Sequence, residues 1–201
     1  MRPNIVIDSE KNNGRSDIEV AKRLYLTEIP FALKDHPDIY FDICKTLSDL
    51  LRTPIYTVRV AGSGQTGYSF HQAKDFLPGQ SDFDIAVISR DVFERYIKAV
   101  QNVALSRPGS QERPRKDLFP SRNGNSFYSA FLENVALRGV LMPHQMPSCP
   151  EKSELTRVTG RLSSKYGEQF GNINIAIYLS EELFLRKQLH NISLYNEAAR
   201  R

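Results

Sequence analysis

The chain has 201 residues, 27 Lys+Arg against 23 Asp+Glu and a formal net charge of +4, with 40% of its residues hydrophobic and 25% charged. These proportions are those of an ordinary globular chain, and they exclude disorder, a collagen-like helix and a coiled coil as whole-chain descriptions. So small a charge permits an anionic partner such as a nucleotide or RNA without demanding one. The length fits one domain with or without a tail. Cys44 and Cys149 are too few for a disulfide framework and fit a reducing compartment. The opening residues MRPNIVIDSEKNNGR hold no apolar stretch of signal-peptide length, and no segment approaches ~18 uninterrupted apolar residues. The expectation is a cytoplasmic chain, neither secreted nor membrane-spanning.

In chain order, residues 1–17 are polar and read as loose. Beyond Pro37, Ile39, Ile43, Leu47 and Leu50 recur at helical spacing, with Asp38 as a start signal and Pro54 as a stop. Ile55 to Ala61 alternates and is β-branched, which predicts a strand. GSGQTG reads as a turn, and Phe83 to Ile88 as a second strand. Residues 90–105 read as a helix with Val92, Phe93, Tyr96, Ile97 and Val100 on one stripe. The Pro-, Gly- and Arg-rich stretch RPGSQERPRKDLFPSRNGNS predicts a long loop. Helices follow at SFYSAFLENVALRG and SELTRVTGRLSSKYG, separated by the turn-rich MPHQMPSCP. INIAIYL predicts a third strand and the last twenty-odd residues a final helix. Few strands with helices grouped around them predict an α+β chain, a small mixed sheet with helices packed on it.

The chemistry gathers at two places. Gly62-Ser63-Gly64-Gln65-Thr66-Gly67 matches the dinucleotide pattern G-x-G-x-x-G, in which glycines let backbone N–H groups approach a phosphate. That reading needs a helix opening at the third Gly and an acid closing the next strand. YSFHQAKDF is short and soon cut by Pro78, and Asp82 and Asp84 begin the next strand. The P-loop pattern fits Gly62, Gly67 and Ser69 but puts Tyr68 where its Lys belongs. The third reading takes the turn and the acids together. Residues i and i+2 of a strand share a face, so Asp82 and Asp84 project together while Phe83 and Ile85 enter the core. Two neighbouring carboxylates repel unless a cation sits between them, the arrangement for Mg²⁺ shared with a triphosphate.

VAGSGQTGYSF followed by GQSDFDIAVIS resembles the nucleotidyltransferase superfamily with a DNA polymerase beta-like fold, and within it bacterial stand-alone domains reading roughly "GSAKTGFS…SDIDVAIVS". Arg138-Gly139-Val140-Leu141-Met142-Pro143 and IYLSEELF match that group more loosely. The resemblance implies an N-terminal extension over 1–35, partly loose, and a nucleotidyltransferase-like domain over 36–201. It also implies Mg²⁺-dependent transfer of a nucleoside monophosphate from a nucleoside triphosphate to a hydroxyl. Asp82 and Asp84 would be the catalytic and metal-binding acids. Gly62, Ser63, Gly64, Thr66, Gly67, Ser69 and Asn174 would hold the nucleotide. The acceptor stays open among RNA, protein, nucleotide and small molecule. Two departures stand out: the segment from Ser63 to Asp82 is longer than is usual, and the third carboxylate of active members falls on Asn172 or Asn174. An amide ligates Mg²⁺ weakly and cannot act as a base. A nucleotide-binding or protein-interaction module of a regulatory, toxin or phage-defence pair is the alternative, and an RNA-binding domain using the basic loop is a third.

The remaining signals read as structure. His36, His71, His144 and His190 have no metal-ligand spacing. Ser63 and Ser69 lack the G-x-S-x-G setting of a hydrolase. The cations Arg107, Arg113, Arg115, Lys116 and Arg122 read as a solvated face, Phe127, Tyr128 and Phe131 as core, and Cys44 as structural.

Overall fold

The computed structural model describes residues 5–105 and 113–199. The chain opens with α1 (Ile5–Asn12) and α2 (Asp17–Lys22), the latter running on into a π-helical turn at Arg23–Thr27. The expectation of a loose segment over 1–17 is therefore overturned for residues 5–12, with residues 13–16 forming the link to α2. Ser16 and Glu19 form a capping box that starts α2, with the Ser16 N–H and Oγ both donating to Glu19 Oε2. Ile7, Val20, Ala21, Leu24 and Tyr25 are buried, which supplies the tertiary contact that a short polar segment needs to stay helical.

Next come α3 (Pro37–Leu51), β1 (Val58–Val60), the five-residue α4 (Gly62–Thr66), the small hairpin β2 (Tyr68–Ser69) and β3 (Lys74–Asp75), β4 (Phe83–Ile88) and α5 (Arg90–Ala104). The strand expected from Ile55 begins only at Val58. Behind Pro54 the chain makes a 3-10 turn over Ile55–Thr57, and the Thr57 N–H and Oγ1 both donate to the Pro54 carbonyl. Residues 106–112, with Arg107, lie outside the described residues. From 113 on, the expected long loop contains a 3-10 turn at Lys116–Leu118 and a second hairpin, β5 (Ser121–Arg122) and β6 (Asn125–Ser126). Its turn is Asn123-Gly124, both with positive φ, as a two-residue hairpin turn requires. The chain closes with α6 (Tyr128–Arg138), β7 (Val140–Leu141), α7 (Pro150–Lys165), β8 (Ile173–Tyr178) and α8 (Glu181–Ala199).

The main sheet runs β1-β4-β8-β7. β4 is antiparallel to β1 and parallel to β8, and β7 is antiparallel to β8. The molecule is thus α+β, a small mixed sheet with helices against it, as expected. No helix among the described residues is long and apolar enough to cross a membrane.

Strand alternation divides the sheet into two faces. Phe83, Ile85, Val87, Ile173 and Ile177 point to one core with α3, α5 and α7, where Phe83 stacks on Phe170 at 4.7 Å. Phe131, beside Phe119 and Tyr128, is part of the same core, as the sequence predicts. Ala86, Val140 and Tyr178 point the other way, to a core built from α1, α2 and α8 with Phe184, Leu185, Ile192 and Tyr195. Asp84 and Asn174 belong to this second face by the two-residue period, one step before its apolar positions begin.

Candidate functional site

Asp84 and Asn174 are register partners on the parallel strands β4 and β8. The Asn174 carboxamide donates one hydrogen to Asp82 Oδ2 and the other to Asp84 Oδ1, both at 3.2 Å. Asp82 Oδ1 also accepts from the Asn172 backbone N–H at 3.2 Å and from Asn172 Nδ2 at 3.4 Å. The two carboxylates therefore share one face, held side by side by amides from the neighbouring strand. Burial pushes the Asp84 carboxyl above the usual carboxylate range, the Asp82 charge adds to the rise, and the bond from Asn174 opposes it.

The glycine element sits against this pair. After β1 the Ala61 N–H donates to the Asp84 carbonyl at 2.8 Å, and Gly62 follows with φ +59. A Cβ on Gly62 would stand 2.5 Å from Asp84 Oδ2, so only glycine allows this approach. Contrary to the expected turn, residues 62–66 form a single helical turn closed by Gly67 in the left-handed conformation. Its opening at the first glycine rather than the third is a further departure from the dinucleotide pattern.

A cavity of about 450 Å³ opens between this element, the acids and the β2–β3 hairpin. Gly62, Ser63, Thr66, Ser69, Asp82, Asp84 and Asn174 all line it. Gly64 and Gly67 do not: Gly64 lies against the Phe83 ring and Gly67 against the Phe31 ring. The Thr66 hydroxyl is engaged with the Gly62 and Tyr68 carbonyls, and Ser69 Oγ accepts from the Gln72 N–H, so both brace the backbone. Lys74 adds a positive charge to the lining. A second cavity, about 380 Å³, meets the first at Gly62, Asp84, Asn174 and Asn191 and adds His144, Lys187 and the more apolar Met142 and Tyr178. Burial, helped by the Lys152 charge, holds the His144 imidazole below the usual histidine range.

Asp82 and Asp84 offer hard oxygen donors, the type Mg²⁺ takes. A half-turn of the Asn174 carboxamide would present its oxygen in place of the nitrogen. The residues present thus fit a divalent cation, with two charged ligands and one neutral one. Among the described residues no third His, Cys, Asp or Glu joins them. Glu133 is paired with Arg138 on α6, and Glu168 lines neither cavity.

No protein-family model, curated protein or solved structure matches this chain.

Sequence reasoning missed several lining residues, among them Tyr25, Lys74 and Asn191, and it read His71, which also lines the cavity, as structural. Tyr25 lay in the segment read as an extension. Its signal was the helical spacing of Val20 and Leu24 beside it, which marks a buried face.

Proposed function

We propose that the cleft binds a nucleoside triphosphate with Mg²⁺ and transfers its nucleoside monophosphate to a hydroxyl, releasing pyrophosphate. The observation that carries this reading is the side-by-side placement of Asp82 and Asp84 against a backbone that only a glycine allows to come so close. Asp82 and Asp84 would hold the cation, with Asn174 as a neutral ligand, and the bound cation would neutralise charge on the phosphates. Gly62 and Ser63 offer the phosphates a backbone without a side-chain barrier and a hydroxyl. Lys74 supplies a further positive charge. The larger cavity falls in the usual ligand range of about 300–1,000 Å³. The second cavity, which shares Gly62, Asp84 and Asn174 with the first, has room for the acceptor. There the acceptor oxygen forms its bond to the α-phosphorus as the bond to the β-phosphate oxygen breaks. The hydroxyl proton cannot go to the Asn174 amide. Among the side chains lining that cavity, neutral His144 is suited to receive it.

A second reading, binding without turnover, is favoured by one observation: an amide stands where a third carboxylate would. The two readings part in one experiment. Mg²⁺ with each of the four ribonucleoside triphosphates should raise the melting temperature, and Asp82→Ala/Asp84→Ala should abolish the rise. Pyrophosphate release that is lost in the double variant supports transfer. A thermal shift with no release, across RNA, nucleotide and protein acceptors, supports the binding module. No shift in the wild type removes the nucleotide reading.

A further inference from the structure

The second cavity does not end at the acids. It shares Met142, Tyr178 and Lys187 with a third cavity of about 260 Å³, a groove bordered by α6, β7 and α8. On α8, Asn191 lines the first and second cavities, Lys187 the second and third, and Leu183 the third. Leu183, Lys187 and Asn191 recur four residues apart on one side of the helix, so α8 walls the whole way from the acid pair to the groove. Eight residues of helix rise about 12 Å, a length that an extended peptide spans with about four residues.

The groove differs in character from the cleft that holds the acids. Leu137, Val140, Met142 and Leu183 give it apolar walls, and Arg138, Arg186 and Lys187 stand among them with no Asp or Glu in the lining. Arg138 and Arg186 are each engaged with a carboxylate of their own helix, Glu133 and Glu182. Lys187 is exposed and in no such pair among the described residues. Leu137 is 75% exposed, more than any other large hydrophobic side chain described. An apolar surface left in water and rimmed by charge marks a contact for a partner. The chemistry that matches it is an apolar side chain with a carboxylate beside it. A single strand of nucleic acid would satisfy the cations and not the walls, since its bases need successive exposed rings to stack on. Tyr178 is 6% exposed and meets Phe184 edge-on at 5.2 Å, which leaves the His190 imidazole as the one ring open to a base.

We propose that the acceptor is a protein: a Ser, Thr or Tyr hydroxyl in an extended acidic segment, with an apolar side chain and a carboxylate about four residues from the hydroxyl seated in the groove. The inference rests on the nucleotidyl-transfer reading of the cleft and names its acceptor. The side-chain oxygen forms its bond to the α-phosphorus as the bond from that phosphorus to the bridging β-phosphate oxygen breaks, and pyrophosphate leaves with the electron pair. The hydroxyl proton goes to His144, and the product is a nucleotide joined to the segment by a phosphodiester.

The test supplies the full chain with Mg²⁺ and nucleoside triphosphates labelled at the α-phosphorus. The acceptors are short peptides carrying one Ser, Thr or Tyr and a Leu-Glu pair at each separation from it, the same peptides with Leu-Lys, and single-stranded RNA with a free 3′ hydroxyl. Label should pass to the Leu-Glu peptides, most at a separation of about four residues, and roughly tenfold less to the Leu-Lys set. Lys187→Glu should move the preference toward Leu-Lys. Leu137→Asp, at an exposed position, should lower labelling of every Leu peptide while the Mg²⁺–nucleotide thermal shift stays at the wild-type value. Labelling of RNA in preference to every peptide overturns the inference and leaves the transfer reading standing. So does peptide labelling indifferent to the separation and to the charge at Lys187. A thermal shift with no acceptor labelled overturns the inference and leaves nucleotide binding alone. Absence of any thermal shift in the wild type overturns both readings.

Discussion

At Asp84 a charge is held where the surroundings resist it. Its carboxyl is pushed up by burial and by Asp82, so the folded state favours the protonated form relative to the unfolded chain. The sign follows. A raised acid costs stability when ionised; the cost is absent below the unfolded pKa and grows as pH rises through the interval up to the folded pKa. In chelator-treated protein, Asp84→Asn should therefore raise the melting temperature at pH 7, and this gain should shrink as the pH falls through the raised folded value toward the ordinary carboxylate range. The new amide oxygen can still accept the bond from Asn174. A thermal series from pH 4 to pH 8 checks it, and an equal gain at every pH would show that the charge is not the cause.

Asn174 is the complementary residue. One –NH₂ group satisfies both acids, which makes the site comfortable without a cation. Asn174→Asp should reverse that order. Three carboxylates together should lower the melting temperature in chelator and make the chain more dependent on Mg²⁺, read as a larger Mg²⁺-induced thermal shift and a smaller Kd for the metal. Gly62→Ala should be harmful for two separate reasons. The left-handed backbone costs about 1–2 kcal/mol with a Cβ, and that Cβ would displace the Asp84 carboxylate. Mg²⁺–nucleotide binding should be lost even where circular dichroism shows a folded chain.

At the scale of elements, β4 carries the site because its two ends face different surroundings. Its later residues lie between two cores, whereas Asp82 and Asp84 stand at its start, beside the cavity. α1 and α2 are short and polar on one side, and their helicity depends on docking against α8. Ile7 is fully buried in that contact. Ile7→Ala should cost about 2–5 kcal/mol, the range for emptying a core aliphatic site, seen as a shift of the urea midpoint with little change in slope. A cost below half a kilocalorie, on the order of a surface substitution, would show that α1 does not hold to the core.

For the whole molecule, the two ends of the chain meet over one face of the sheet. Tyr195 on α8 donates to Asp8 on α1 at 2.6 Å, and Tyr25 packs against Phe184. Removing residues 1–27 should expose Phe184, Leu185 and Ile192 and unline the cavity at Tyr25. The shortened chain should bind a hydrophobic dye, lose nucleotide affinity and be cut rapidly by protease across α8. A truncated chain with wild-type melting and nucleotide affinity would make the segment an appendage.

The sequence alone was sufficient for what depends on near neighbours. The β4 strand and its outward acids follow from a two-residue period, α3 and α5 from an apolar stripe at helical spacing, and the break at the glycines from their backbone freedom. Tertiary structure decided the rest. That Asn174 stands opposite Asp84 is a matter of register between strands far apart in the chain, and a slip of one residue would turn the amide to the other face. That residues 5–12 and 17–27 are helical follows from their burial against α8, since propensity over so few polar residues is too weak to decide. That Tyr25 and Asn191 line one cavity brings together residues far apart in the chain, and no periodic signal reaches that far. Local patterns record which side of an element is apolar; only packing determines which polar groups are left facing one another across a cavity.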